Sequence, residues 1–182
     1  MKSLRWILPG LALTALAGTG CILLSTQIFA HFNLTNPFTI NSAGSTFQRE
    51  AVDLSTVKDY KDNKDKLKGL SDIALVGKFT NVAGPAGSVE VWITAGTTNL
   101  ASVAAIQGGS TKLWSASIGA APAVLNIGWN ESAKHFNAAG KKILIDQVLG
   151  TGIFTIYVIG TAGSYQIKVD NGAIILVIAA GV

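Results

Sequence analysis

The chain has 182 residues, 49% hydrophobic and 13% charged, with 20 glycines, two histidines and one cysteine. A charged fraction about half the ~25% of ordinary soluble domains excludes a solvated helical bundle and a disordered chain. A single cysteine excludes an intramolecular disulfide framework, and two histidines argue against a zinc cluster. The formal charge of +4 falls to +2 once Lys2 and Arg5 are set aside with the leader, too little to indicate nucleic acid as a partner.

Residues 1–30 read as an export signal. Lys2 and Arg5 come first, and no charge follows from Trp6 through Ala30. Trp6–Leu24 supplies the apolar stretch that secretion machinery recognises. Two processing points compete. One follows Ala30, where Ile28-Phe29-Ala30 suits signal peptidase I and releases a chain beginning at His31 into the periplasm or medium. The other precedes Cys21. An uncleaved anchor is a third outcome, poorly served by Pro9, the glycines and Gln27.

Leu16-Ala17-Gly18-Thr19-Gly20-Cys21 resembles a bacterial lipoprotein signal. Gly20 matches that pattern, whereas Gly18 stands where an aliphatic residue is usual. The resemblance implies residues 1–20 as signal peptide (1–30 in the alternative), lipid attachment at Cys21 and membrane anchoring. Ile22, in place of an acidic residue, implies sorting to the outer membrane. Ile28, Ala30, Phe32 and Leu34 alternate with more polar neighbours, so a first strand is expected to start before Ala30. Cutting before Cys21 keeps that strand whole.

Beyond the leader, residues 21–182 are expected to form one domain. Short β-forming segments recur between glycine- and asparagine-rich breaks. Strands are expected at 28–34, 37–41, 46–54, 73–81, 87–94, 100–106, 112–118, 123–129, 152–160, 164–169 and 173–180. Val82–Gly87 reads as a loose hairpin connection, and Asp170-Asn171-Gly172 as a tight hairpin between the last two strands. The charged segment near 56–69 holds Lys58, Lys61, Lys64, Lys66 and Lys68 among Asp59, Asp62 and Asp65. It reads as a helix started by a Thr56–Asp59 capping box and ended at Gly69, with Lys64 interrupting its apolar face. Residues 131–149 are a second helical candidate divided at Gly140, with a short helix followed by a strand from Lys142 as the alternative. In 153–159 both faces are apolar, as in a strand covered on both sides. The fold expected is mainly β, an antiparallel β-sandwich of roughly 7–10 strands with one or two short helices.

Chemistry is sparse. No nucleophile elbow, P-loop, dinucleotide fingerprint or zincin helix occurs, and no cofactor is expected. Glu131 and His135 stand four apart, the spacing of a tuned base but equally of an exposed helix face. Asp59, Asp62 and Asp65 lack the alternation and glycine of a calcium loop, and interleaved lysines oppose a cation, so no metal is expected. Trp92, Trp114 and Trp129 fall in expected strands; exposed, they would make a carbohydrate platform, and buried, a core. The expected function is a non-enzymatic cell-envelope protein, structural or binding, with the membrane and an envelope protein or carbohydrate as partners. Self-association through apolar terminal strands is a further expectation. The alternative is a secreted or periplasmic carrier of an apolar ligand in a cavity between the sheets.

Overall fold

A computed structural model describes residues 26–34, 37–41, 47–160 and 164–181. The alternating segments become β1 (Thr26–Asn33), β2 (Phe38–Asn41), β3 (Gln48–Asp53), β4 (Leu67–Ala83), β5 (Gly87–Ala95), β6 (Thr111–Ile118), β7 (Val124–Ile127), β8 (Ile153–Gly160) and β9 (Gln166–Ala180). Helices are α1 (Lys58–Asp62), α2 (Val103–Gly109), α3 (Trp129–Ser132) and α4 (Ala138–Leu149). Among the described residues no helix is long and apolar enough to cross a membrane.

All pairing is antiparallel. One sheet runs β1-β9-β4-β7, with β2 also on β9, and the other runs β3-β8-β5-β6. Apart from β1–β2 and β5–β6, successive strands lie in opposite sheets, which is the jelly-roll way of wrapping a β-sandwich. Side chains from both inner faces form one continuous core that includes Ile28, Phe79, Trp114, Phe154 and Leu176. This is the space in which a carrier would hold its ligand. β8 is buried from Phe154 through Gly160, because α2 covers its outer face through Ile106 against Tyr157 and Ile159.

Both turn-based hairpin expectations are corrected. Asp170-Asn171-Gly172 lies inside the 15-residue strand β9. Asn171 does take a positive φ of 54°, yet a single such residue makes a bulge here, whereas the type I′ hairpin turn that Asn-Gly favours needs two in succession. Opposite it, the register passes from Val76↔Ala173 to Lys78↔Asp170. The second half of β9 pairs with β1 and the first half with β2, and Leu34 N donates to Gly172 O at the bend, 2.9 Å. β9 is therefore interior to its sheet, and β1 lies at the sheet's edge. The Val82–Gly87 turn joins β4 and β5 across the two sheets, so it is an arch and not a hairpin.

Helical expectations shift as well. The 56–69 helix shrinks to α1 and a following 3-10 turn, and Leu67, Gly69 and Leu70 belong to β4. Asp53 caps the 3-10 turn Leu54–Thr56 that precedes α1, its side chain accepting from Ser55 N at 2.9 Å. α1 itself has Val57 at its N-cap and no side-chain cap, so Thr56 and Asp59 form no capping box. The expected strand 100–106 is instead a loop and α2, started by Ser102 accepting from Ala105 N at 3.1 Å. Trp129 ends the strand expectation for 123–129 by opening α3. Between 131 and 149 the break falls at Asn137, which caps α4 by accepting from Ala139 N at 2.9 Å. Gly140 lies within α4, where a Cβ would stand 2.3 Å from Lys112 O and 2.5 Å from Leu113 Cα. It marks the close crossing of α4 over β6, not a helix end.

Gly140→Ala is expected to lower unfolding free energy by about 1–3 kcal/mol through overpacking, despite alanine's higher helix propensity. Denaturant unfolding checks this, and an unchanged or raised midpoint would refute the close crossing.

Candidate functional site

The three tryptophans do not share a surface. Trp92 lies half-buried on the outer face of the four-stranded sheet, packed against the cluster under α2. Its Nε1 donates to Glu90 Oε2 at 2.9 Å. Lys112 Nζ stands 5.3 Å from the ring centroid and 2.5 Å from Glu90 Oε1. Glu90, only 6% exposed, is thus a buried carboxylate satisfied by an ammonium and an indole. Trp114 is fully buried. It stacks on Phe79 at 5.9 Å, meets His135 edge-on at 5.4 Å, and donates from Nε1 to Ser132 O at 3.2 Å. Trp129 is half-buried by the other sheet, with Nε1 donating to Asp72 Oδ2 at 2.8 Å. One ring is core and the other two serve different sheets, so they form no common platform.

Glu131 and His135 do meet, with His135 Nε2 and Glu131 Oε1 3.3 Å apart. They bridge the end of α3 and the 3-10 turn that follows. Lys134 Nζ is nearer, 2.6 Å from Glu131 Oε2. That hydrogen bond first, with the His135 bond a lesser help, holds the Glu131 carboxyl below its ordinary range against the opposing effect of burial. A carboxylate already committed to lysine is a weak base, and the geometry reads as a surface ion-pair cluster.

The charged segment has a structural use that spacing alone does not reveal. Lys58 pairs with Asp62 along α1. Lys64 turns inward: its ammonium donates to Tyr60 Oη at 2.5 Å and to the carbonyls of Gly150 and Leu149, the latter at 3.4 Å. Tyr60 Oη in turn donates to Val148 O at 2.6 Å. Together they satisfy the carbonyls that α4 leaves open at its C-terminus. Among the described residues no three His, Cys, Asp or Glu side chains gather as a metal site. Cys21 lies outside the described residues.

One open cleft of about 590 Å³ lies between the end of β5, the C-terminal turn of α2 and the outer side of α4. Thr94, Gly108, Asp146 and Gln147 contribute to it. None was legible as a site, because the contributing segments lie far apart in sequence. The one signal available was the Gly108-Gly109 pair within a helix.

No family model matches the chain, and no curated protein matches it. Among solved structures it is similar to one from Desmodium yellow mottle tymovirus, at 13% identity and TM-score 0.29, covering 100% of this chain and 96% of that one. It is also similar to one from turnip yellow mosaic virus, at 12% identity and TM-score 0.32, covering 100% of this chain and 90% of that one. The fold description rests on the strand order alone.

A carboxyl with a lowered pKa contributes stability above its unfolded value, and that contribution is lost as pH falls through the folded value. For Glu131 this window lies below 4.5. Lys134→Met is expected to raise the Glu131 midpoint toward 4.5, read by carboxyl-carbon NMR titration; an unmoved midpoint would remove Lys134 as the principal cause.

Proposed function

We propose that the protein is a non-enzymatic module of the bacterial cell envelope, held at the outer membrane by lipid on Cys21 and acting in a structural or binding role. The observation that carries this reading is the construction of β1. Ile28 and Ala30 are 2% and 1% exposed in the shared core, and β1 pairs with β9 from Thr26↔Ala180 onward. Processing after Ala30 would strip both side chains from the core and remove the pairings from Thr26 to Ala30. Burial of the isoleucine alone is worth roughly 1.5–3 kcal/mol. Processing before Cys21 leaves β1 intact behind a tether of residues 21–25, whose extended reach is about 17 Å.

A second feature supports a membrane-proximal placement. Phe29, on the strand next to the anchor, is 63% exposed, more than any other large apolar side chain among the described residues. An aromatic ring held in water at that position gains by meeting a lipid headgroup boundary.

The test is the intact mass of the mature protein from membrane and soluble fractions of a bacterial host expressing the full chain. The expected species begins at Cys21, carries added acyl mass and is found in the membrane fraction, and Cys21→Ser abolishes it. A soluble chain beginning at His31, or a membrane species still carrying Met1, would overturn the lipid-anchor reading.

A further inference from the structure

We propose that the cleft between β5, α2 and α4 is a binding site for a neutral polyhydroxylated ligand, a saccharide unit, independently of how the protein is anchored. Three observations converge on it. The first is a chain of hydroxyls whose proton count does not close within the fold. Tyr157 is fully buried, and its Oη accepts from Leu100 N at 3.0 Å. Its own proton needs an acceptor, and Thr98 Oγ1 lies 2.8 Å away. Thr98 Oγ1 also lies 2.7 Å from Thr94 Oγ1, and either hydroxyl can donate to the other. Three hydroxyl protons thus share two hydroxyl–hydroxyl contacts, so one of them finds no acceptor within this group, and Thr98 lines the cleft as well. Thr94 is only 7% exposed, and it lines the cleft. A nearly buried O–H donor without a partner is unfavourable unless something from outside accepts it.

The second observation is the pair Gly108-Gly109 in the last turn of α2. Glycine inside a helix is disfavoured by about 1 kcal/mol relative to alanine, so two in succession call for a reason. Neither has a positive φ, and the helix terminates at Ser110 with φ of −134°, so left-handed capping does not supply one. Packing does not either: a Cβ on Gly108 would meet nothing within 4 Å, and on Gly109 it would make ordinary contact with Leu100. Both glycines line the cleft, and their effect is to keep its wall open.

The third is the polar inventory of the lining. Gln147 accepts from Thr151 at Oε1, 3.1 Å, leaving its amide nitrogen to donate. Asp146 is the one charged residue lining the cleft, and Lys142 holds its Oδ2 at 2.7 Å. Its charge is thereby offset while Oδ1 stays open as an acceptor. Donors and an acceptor without net charge suit hydroxyl groups, each of which donates and accepts. They suit neither an anion nor a cation. The volume falls within the ~300–1,000 Å³ of small-molecule sites.

The experiment probes the mature protein and three variants against a glycan array, then titrates the best array glycan into isotope-labelled protein by NMR. The wild type is expected to bind a subset of glycans, with amide shifts at Thr94, Gly108 and Asp146. Thr94→Val removes one hydrogen bond at nearly constant shape, and affinity should fall about tenfold. Gly108→Leu fills the cleft and should abolish binding with the melting curve retained. Gly108→Ala should melt above the wild type, because no contact opposes the gain in helix propensity. Absence of binding across the array, binding unaffected by Thr94→Val and Gly108→Leu, or shifts confined to another face would each overturn the proposal.

Discussion

The pairing of β9 with β4 is the constraint on which the rest of the structure depends. It runs from Leu67↔Ala180 to Ala83↔Gln166, longer than any other ladder in the fold. β1 and β2 attach to the far edge of β9, and β7 attaches to the far edge of β4. The bulge at Asn171-Gly172 sets where β1 gives way to β2, so one residue's positive φ locates the corner of the whole sheet. Ile174, Leu176 and Ile178 on β9 face the core with Ile73 and Leu75 on β4, which makes this ladder the floor on which the second sheet packs.

Much of this was legible. Runs of β-forming residues between glycine- and asparagine-rich breaks placed β1, β2, β3, β5, β6 and β8 within a few positions, and in β1 the alternation that burial of one face demands marked its start. The doubly apolar β8 was readable as covered on both sides. Topology was less accessible. Asn171-Gly172 signals a positive φ, and whether that becomes a reversal or a bulge depends on the strand opposite. Val82–Gly87 signals a change of direction, yet the turn residues carry no information on whether the next strand joins the same sheet. Residues 100–106 show why short apolar runs are ambiguous: Ser102 offers a helix cap, and tertiary packing of Val103 and Ile106 decides the outcome.

Site residues follow the same division. The strand positions of Trp92 and Trp114 were readable, while that of Trp129, which opens α3, was not. The face each ring occupies was not readable either, and face separates the core ring Trp114 from the half-buried Trp92. Lys64 looked like a flaw in an amphipathic helix. Its partners are carbonyls more than eighty positions away, so its capping of α4 appears only in three dimensions. The cleft is assembled in that way too, from β5, α2 and α4. Its residues are mostly threonine, glycine and glutamine, types that carry no motif.

The sandwich and the proposed anchor meet at β1. If β1 is a working part of the core, the mature chain retains the residues before His31, as the proposed processing before Cys21 allows. The most direct measurement compares denaturant unfolding of two purified chains, 21–182 and 31–182, with Cys21 replaced by serine in the longer one. Loss of Ile28, Ala30 and their pairings should lower the stability of the shorter chain by about 3 kcal/mol or more, or abolish its cooperative transition. Equal midpoints and slopes for the two chains would contradict the account, and would return processing after Ala30 to equal standing.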